Sequence, residues 1–492
     1  MSERRRWSAP ELLDLVLDPG SFEPWDEPID VSDLPEDYRA ALARAAERAG
    51  TDESVLTGRG TVRGRPVAVV VNEFAFLAGS IGRAAAGRIV AAVRRATREG
   101  LPVLASTASG GTRMQEGTPA FVRMVEISRV LMAHRAAGLP YLVHLRHPTT
   151  GGVYASWGSL GHITVAEPGA LVGFLGPKVY EGLHGEPFPE GVQTAENLAA
   201  KGVIDAVVPA EELPELVDRA LAVLVDAAGR GELPHRTPLE AGAQAASQQE
   251  VWDSIAQTRE PSRAGVRHLL RHGGESTVRL RGTDEGERDE TVVVALTRLD
   301  GQPCVVVGQD RSRQDAQHPM GPAALREARR GMRLAAELGL PLVTVIDTPG
   351  AELSARAEEG AIAGEIARCI ATMTTLEVPT VAVLLGQGCG GGALALLPAE
   401  VVVATEHAWL SPLPPEGASI IVHGDTAHAA ELARAQRVGA RSLLEAGVVH
   451  HLVPEVPGES ARDLARAVVA EVSLALRRSA RRAALEVGET VD

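Results

Sequence analysis

The chain has 492 residues, more than one hydrophobic core usually serves, so two or more domains are expected. Hydrophobic residues make up 45%, and no apolar run reaches the roughly 18 to 20 residues that a membrane helix needs. The net charge of −15 argues against general nucleic-acid binding, and three cysteines provide neither a disulfide framework nor a four-cysteine zinc site.

The N-terminal residues 1–10 are charged and lack the apolar stretch of a signal peptide, which predicts a cytoplasmic protein without a membrane anchor. The chain has only two lysines, Lys178 and Lys201. Schiff-base chemistry, which needs a lysine, therefore has almost no candidate residue.

Helices and strands are predicted to alternate in two stretches of the chain. In the first stretch, the predicted helices span residues 81–98 and 119–137, and the predicted strands span 103–105 and 141–145. In the second stretch, the predicted helices span residues 323–338 and 359–376, and the predicted strands span 342–346 and 380–385. This alternation is typical of a layered α/β fold.

The two stretches are copies of one pattern. Gly100-Leu101-Pro102 precedes a strand in the first copy, as Gly339-Leu340-Pro341 does in the second, 239 residues later. The same shift carries Gly151-Gly152 onto Gly390-Gly391. Several matches in the same order indicate a tandem duplication. We predict an N-terminal domain over residues 1–230 and a C-terminal domain over 250–492, joined by an aperiodic linker, 231–249.

A glycine cluster follows a buried strand in each copy. Thr149-Thr150-Gly151-Gly152 ends one strand, and the second cluster runs from Gly386 to Gly392. Glycine lets the backbone approach a ligand, and the start of a helix offers unpaired N–H donors. Glycine pairs also occur merely for close helix–strand packing, but two clusters at matching places favour a pair of oxyanion sites.

Longer motifs resemble the carboxyltransferase of bacterial acetyl-CoA carboxylase, with its beta and alpha subunits fused into one biotin-dependent acyl-CoA carboxyltransferase. The beta-like motifs are Ser109-Gly110-Gly111-Thr112-Arg113-Met114-Gln115-Glu116-Gly117, Pro148-Thr149-Thr150-Gly151-Gly152-Val153 and Ala166-Glu167-Pro168-Gly169-Ala170. The alpha-like motifs are Ile346-Asp347-Thr348-Pro349-Gly350-Ala351, Gly390-Gly391-Gly392-Ala393 and Pro415-Glu416-Gly417-Ala418-Ser419. The resemblance covers nearly the whole chain, from about Leu13 to Pro454.

The resemblance implies two tandem crotonase-like domains of the ClpP/crotonase superfamily. It implies acyl-CoA on the N-terminal half, carboxybiotin on the C-terminal half, and at least a homodimer in which the two sites meet between subunits. The amides of Gly151 and Gly152 would hold the thioester oxygen, and those of Gly391 and Gly392 the ureido oxygen of biotin. No side-chain base is then required.

Six further residues are candidates for substrate binding: Gly110, Gly111, Arg113, Lys178, Gly350 and Gly390. Arg113 either meets the phosphates of CoA or forms a structural salt bridge, and Lys178 is either a phosphate contact or a solvated charge. His147 before the first glycine pair is a candidate proton carrier or a solvated loop residue. Cys389 is a candidate reactive thiol or a small filler.

The chain departs from the family pattern in three respects. It lacks the N-terminal four-cysteine zinc ribbon of the beta subunit, so neither zinc nor another metal is expected. The segment after Gly350 is poor in glycine and proline. His147 and His162 replace the usual aspartates, and Tyr154 and Trp157 are bulkier than expected, so the acyl preference can differ from acetyl-CoA.

We therefore expect transfer of a carboxyl group from biotin on a separate carrier protein to acetyl-CoA or another short acyl-CoA. With acetyl-CoA the product is malonyl-CoA, a precursor of fatty acids. The chain has no Met-Lys-Met biotinylation site and no ATP-binding glycine loop, so biotin carboxylase and biotin carboxyl carrier protein are expected as separate partners. The alternatives are a biotin-independent malonyl-thioester decarboxylase and an inactive scaffold subunit. A serine hydrolase is disfavoured because no G-x-S-x-G elbow is present.

Overall fold

The computed structural model describes residues 5–240 and 247–489, except for the side chains of Lys178 and of residues 483–489. The chain forms two compact units. Unit 1 runs to Leu221 and includes Asp284–Gly286, and unit 2 comprises Ala222–Thr283 and the chain from Glu287 onward.

Within its described residues, unit 1 is built on one eight-stranded sheet in the order β1-β2-β3-β4-β5-β6-β8, with β7 paired to β5. The strands from β3 to β6 are parallel, whereas β1, β2 and β3 pair antiparallel. Their bounds are β1 Glu23–Pro24, β2 Val55–Val62, β3 Arg65–Asn72, β4 Val103–Ser109, β5 Tyr141–Thr150, β6 Ile163–Ala166, β7 Val172–Gly173 and β8 Ala206–Val207.

Helices cover this sheet, and their buried apolar faces form the core of unit 1 with the strands. Their bounds are α1 Ala9–Val16, α2 Glu36–Ala49, α3 Arg83–Glu99, α4 Thr118–Phe121, α5 Arg123–Ala136, α6 Gly151–Tyr154, α7 Pro177–His184, α8 Ala195–Ala200 and α9 Leu213–Leu224. The last of these contains the boundary between the units. Short 3-10 helices span Leu77–Gly79, Trp157–Ser159 and Ala210–Glu212.

The described part of unit 2 repeats this plan on a second eight-stranded sheet, in the order β16-β14-β13-β12-β11-β10-β9, with β15 paired to β13. Its strands are β9 Gly274–Leu280, β10 Val292–Leu299, β11 Gln302–Gln309, β12 Leu342–Thr348, β13 Thr380–Cys389, β14 Val401–Thr405, β15 Trp409–Ser411 and β16 His451–Val453. Its helices are α10 Gln248–Thr258, α11 Val266–Gly273, α12 Pro322–Leu338, α13 Ala355–Glu359, α14 Ile362–Thr374, α15 Gly390–Leu394, α16 Pro415–His423, α17 Ala429–Ala435, α18 Ala440–Glu445 and α19 Ala461–Glu489, with a 3-10 helix at Arg311–Arg313.

The tandem duplication predicted from the sequence is visible in the elements. The pairs α3 and α12, β4 and β12, and β5 and β13 each differ by 239 residues at both ends. An isolated parallel bridge joins Ile81 to Thr112 in unit 1, and Met320 to Ala351 at the matching place in unit 2. The predicted helix 119–137 is divided at Val122, which keeps right-handed helical dihedral angles, into α4 and α5. The predicted helix 359–376 is broken at 360–361, where Ala361 has a left-handed conformation with φ +64°.

Two β-hairpins lie outside the predicted elements. One joins β2 to β3 and the other joins β10 to β11. Each turns at two residues of positive φ, Arg63 and Gly64 in unit 1 and Asp300 and Gly301 in unit 2. Asp-Gly between two apolar runs is a strong sequence signal for such a turn, so the second hairpin was predictable.

The described part of the predicted linker belongs to the fold of unit 2. The Asp300 carboxylate accepts the backbone N–H groups of Glu232 and Leu233, at 2.7 and 2.9 Å. The backbone N–H of Leu239 donates to the carbonyl of Leu452 at 2.9 Å. Residues 247–249 cap and begin α10, and residues 241–246 lie outside the described residues. Periodicity does not reveal this segment, because hydrogen bonds to distant residues, Asp300 and Leu452, fix it.

Along the described chain, no helix combines the length and the apolarity that crossing a membrane requires.

Candidate functional site

The first glycine pair stands where β5 runs into the short helix α6. Gly151 has φ +61°, a left-handed conformation that other residues adopt only with strain. Its N–H donates to the carbonyl oxygen of Phe174 at 3.0 Å. The Gly151 amide is therefore engaged within unit 1 and shapes the turn.

The amide of Gly152 has a different environment. Gly152 is partly exposed, and its N–H donates to no other group among the described residues. The glycine loop after β4 lies directly beside it, since a Cβ on Gly111 would stand 3.4 Å from the Gly152 nitrogen. The turn thus presents a free backbone donor, and the positive φ of Gly111 beside it, +106°, favours glycine at that position.

Gly110 and Gly111 form that neighbouring loop, and their own amides are occupied. The N–H of Gly110 donates to the carbonyl of Ala78 at 2.9 Å, and the N–H of Gly111 donates to the Ser109 hydroxyl at 3.0 Å. Both glycines, expected to bind substrate, lie beside the free amide of Gly152 and shape its surroundings.

Arg113 forms a buried ion pair, which is the structural salt bridge that the second interpretation of this residue predicts. Its side chain is 1% exposed and that of its partner Glu53 is 3% exposed. The guanidinium makes a two-pronged contact with the Glu53 carboxylate, of which the Nη1–Oε2 distance is 2.9 Å, and donates to the Ser80 carbonyl at 2.8 Å. Contact with CoA phosphates is excluded by this burial. Glu53 carried no signal in the sequence, because it lies 60 residues away from its partner.

His147 lies on β5 before the first glycine turn, and Lys178 lies after it. Lys178 is in α7, and its side chain lies outside the described residues. The Nδ1 of His147 accepts the backbone N–H of Leu171 at 3.0 Å, and the backbone N–H of His147 donates to the Glu167 carboxylate at 3.2 Å. These bonds give His147 a structural role in holding the segment before β7.

The second glycine cluster stands where β13 runs into α15. Gly390 has φ +64°, as its counterpart Gly151 does, and Gly391 matches Gly152 in the repeat. Both are partly exposed, and among the described residues the N–H of Gly391 has no acceptor. Gly392, expected to share the ureido oxygen with Gly391, is buried instead, and its carbonyl accepts the Gln309 amide at 2.7 Å. Gly392 lies one residue too far along the helix to present its amide.

Gly350 matches Gly111 and is held in the same way. Its N–H donates to the Thr348 hydroxyl at 3.1 Å, and its φ is +135°. A Cβ on Gly350 would lie 3.7 Å from the Cys389 sulfur, so the two loops of unit 2 also lie side by side. Burial raises the pKa of the Cys389 thiol to about 11, which fits the filler interpretation.

Asp347 is a further functional candidate, and it lies in the alpha-like motif that begins at Ile346. Its carboxylate accepts the Gln387 backbone N–H at 3.1 Å and pairs with the Arg311 guanidinium at 3.1 Å. Burial raises its pKa, and the Arg311 charge opposes that rise. Asp347 thereby fixes the backbone that leads into the second glycine turn.

Gly152 in unit 1 and Gly391 in unit 2 therefore occupy matching places at the start of a short helix, and each presents a partly exposed backbone N–H that has no acceptor among the described residues. Such a donor stabilises negative charge that develops on an oxygen atom. No side-chain acid or base is needed for that task. The described residues contain no group of three or more potential metal-binding side chains.

Known proteins resemble this chain over nearly its whole length. The model of the carboxyl transferase domain matches residues 3–477. The probable biotin-dependent acyl-coenzyme A carboxylase beta3 subunit of Mycobacterium tuberculosis is 57% identical over 474 residues, which are 95% of this chain and 94% of that protein. The acetyl-coenzyme A carboxylase carboxyl transferase subunits beta/alpha of Salinispora arenicola are 38% identical, over 92% of this chain and 82% of that protein.

Solved structures support the fold. The transcarboxylase 12S hexamer core superposes with a TM-score of 0.74 at 20% identity, over 97% of this chain and 90% of that one. A single-chain, multi-domain long-chain acyl-CoA carboxylase gives a TM-score of 0.73 at 20% identity, over 95% of this chain and 46% of that one. The crotonase-like α/β fold predicted from the sequence is confirmed, and so is the family resemblance. The chain belongs to the carboxyl transferase domain family.

Proposed function

We propose that this protein is the carboxyltransferase component of a biotin-dependent acyl-CoA carboxylase. In this proposal it moves a carboxyl group from biotin on a carrier protein to the α-carbon of acetyl-CoA or another short acyl-CoA. The 57% identity to a probable acyl-CoA carboxylase beta subunit, over nearly the full length of both chains, supports it. A separate biotin carboxylase and a biotin carboxyl carrier protein then serve as partners.

The two free amides carry the proposal. Gly152 donates to the thioester oxygen of acyl-CoA, on which negative charge would develop as the α-proton passes to the ureido group of biotin that has released its carboxyl group as CO₂. The α-carbon of the resulting enolate would then bond to that CO₂. Gly391 donates to the ureido oxygen of biotin. When bound, carboxybiotin supplies the carboxyl group. Removing a single oxyanion donor typically costs about 2.7–4 kcal/mol of transition-state stabilisation, so two fixed amides account for a large share of the rate.

The remaining candidate glycines hold these two donors in place. Gly111 in unit 1 and Gly350 in unit 2 bend the neighbouring loop, each tied to a hydroxyl two residues earlier. Gly151 and Gly390 turn the chain from strand to helix through positive φ. Preorganised amides need no rearrangement when charge develops, which is the physical basis of their effect.

Exposed apolar residues beside each turn support a homodimer or a larger homo-oligomer. Met114 is 81% exposed, and its counterpart Leu353 is 92% exposed. Phe174 and its counterpart Leu413 are also exposed. Large apolar side chains rimming a site in this way indicate a surface that another protein covers. We propose that a second copy covers them and completes the site.

A reconstituted carboxylation assay tests the function. Purified biotin carboxylase, biotinylated carrier, ATP and bicarbonate are mixed with the chain, and acetyl-, propionyl- and longer acyl-CoA are compared. We expect carboxylated thioester only with the biotinylated carrier, and none with carrier that lacks biotin. Product formed with one acyl-CoA alone defines the substrate.

Two other outcomes would contradict the proposal. Decarboxylation of malonyl-CoA without any carrier would favour a biotin-independent decarboxylase. Failure with every thioester, combined with tight binding to an active carboxylase subunit, would favour a scaffold. Light scattering on the purified chain measures the oligomeric state independently.

A further inference from the structure

A small cavity of unit 2 is lined by an unusual number of arginines. It has a volume of about 100 Å³ and lies at the end of β9 and the start of β10. Five arginines contribute to its wall: Arg267, Arg279, Arg281, Arg288 and Arg313. They come from α11, from β9 and the loop after it, and from the 3-10 helix after β11.

The surrounding sequence is basic although the whole chain is acidic. Residues 259–281 contain six arginines and two glutamates, a formal charge of +4, within a chain whose net charge is −15. A local concentration of positive charge against the overall field favours an anionic ligand, because screening limits the reach of distant carboxylates to about 8 Å.

Three of these arginines pair with carboxylates, whereas Arg279 pairs with none that the structure describes. Arg267 pairs with Asp310, and Arg288 and Arg313 share Glu290, at 2.9 and 3.8 Å. Among the described residues, no ion pair or hydrogen bond engages the guanidinium of Arg279. Its side chain is exposed at the wall of the cavity. Its pKa is lowered, first by partial desolvation and then by the charges of Arg267 and Arg281, and the Asp310 carboxylate opposes this shift.

Two carboxylates of the wall, Asp289 and Glu327, do not pair with Arg279. Asp289 accepts the hydroxyl and backbone N–H of Thr291, at 2.6 and 2.8 Å. Glu327 is buried, and its carboxylate accepts the backbone N–H of Asp289 at 3.2 Å. Burial raises the pKa of Glu327 to about 7, which reduces its negative charge at neutral pH.

We propose that this arginine pocket is a binding site for an oxyanion of the phosphate class. The planar guanidinium matches the tetrahedral oxygens of phosphate and can make two parallel hydrogen bonds to it. The volume suits one such group, since it equals about three water molecules, whereas drug-sized ligands need about 300–1,000 Å³. The occupant is either free phosphate or a phosphate group of a larger molecule such as CoA.

Isothermal titration of the full chain with inorganic phosphate, in chloride buffer of low ionic strength, tests the site. We expect one saturable site, with affinity that falls as chloride rises. Arg279→Gln should raise Kd at least about tenfold, because it removes the unpaired fork of donors. Arg279→Lys, which keeps the charge, should fall in between.

Arg462→Gln is the matched control, since Arg462 is an exposed arginine of unit 2 outside the pocket. It should bind phosphate as the unchanged chain does. Thermal unfolding without phosphate checks that all variants are folded. Absence of phosphate binding by the unchanged chain, or equal binding by Arg279→Gln, overturns the proposal.

Competition identifies the source of the phosphate. Displacement of phosphate by CoA but not by dephospho-CoA assigns the pocket to the 3′-phosphate of CoA, and displacement by both assigns it to the diphosphate. Displacement by neither leaves free phosphate as the ligand. Because the readout is binding, the result does not depend on carboxyl transfer.

Discussion

The two units keep the same backbone turn but support it with different side chains. At matching positions, unit 1 has Ala108 and His147 where unit 2 has Asp347 and Gly386. A Cβ on Gly386 would lie 2.7 Å from the Asp347 carboxylate. A larger residue at position 386 would therefore collide with Asp347. The main-chain donor is therefore common to both units, while the side chains that hold it have diverged.

Ion pairing differs between the units in the same way. Unit 1 buries the pair of Arg113 and Glu53 beneath its glycine loop. At the position of Arg113, unit 2 has Glu352, which pairs with Arg356, a residue that is 79% exposed. Glu352 itself is 6% exposed, so the two pairs differ in the burial of the arginine. A pair that is buried on both sides is more costly to break than one whose arginine lies in solvent.

The largest effect is expected from removing the two matched amides. Gly152→Pro and Gly391→Pro each delete an N–H and should lower the rate of carboxyl transfer by about 10²–10³-fold. The measurement is the reconstituted carboxylation assay on each variant. Ala461→Pro, at the first position of α19 where proline is tolerated, is the control and should keep its activity. Retained activity in either glycine variant would remove that amide from the proposal.

The next largest effect separates the two ion pairs. Arg113→Met leaves the Glu53 carboxylate buried without its partner and should lower the free energy of unfolding by about 3–5 kcal/mol. Urea unfolding followed by circular dichroism measures it. Arg356→Met in unit 2 removes a partner that lies in solvent and should lower the midpoint much less. Equal midpoints for both variants would show that the contrast in burial has no energetic consequence.

A smaller effect is expected in the dependence of stability on pH. Burial, and then the charge of Arg146, lowers the pKa of His144 on β5 to about 3, and unit 2 has Val383 at the matching position. Because the unfolded chain binds the proton near pH 6.5, the stability contributed by neutral His144 is complete above that pH and is lost as pH falls below it. Between pH 7.5 and 5.5 the loss is about 1.4 kcal/mol.

The partner of His144 suggests the variant. Its Nδ1 lies 3.1 Å from the Ser106 hydroxyl, and unit 2 has Val345 in place of that serine. The double variant Ser106→Val/His144→Val copies the apolar pair of unit 2. It should unfold with a weaker dependence on pH over this range than the unchanged chain. An unchanged slope would show that His144 is not the titrating group.

The smallest effect is expected at Cys389, which matches Thr150 of unit 1. The raised pKa leaves little thiolate at neutral pH, so iodoacetamide should modify Cys389 only after urea is added. Cys389→Thr, which restores the residue of unit 1, should transfer carboxyl groups as the unchanged chain does. Rapid alkylation of the native protein at this residue, detected by mass spectrometry, would contradict the filler role.

The sequence predicts features that depend on neighbouring residues, and it does not predict contacts between residues far apart in the chain. The strand and helix that flank each glycine turn followed from apolar periodicity and from the repeat of 239 residues. The hairpin at Asp300-Gly301 also has a local signal, an Asp-Gly pair between two apolar runs. By contrast, nothing in the sequence near Gly151 showed that Phe174 takes its N–H, or that Gly392 is buried.

The sequence by itself determined the duplicated α/β plan, the family and the position of both glycine turns, because these depend on local pattern and on the backbone freedom of glycine. Tertiary structure alone decided which amides remain free, that Arg113 faces Glu53, and that arginines from three segments line one pocket. The physical reason is that hydrogen bonds and ion pairs join residues brought together only when the sheet assembles.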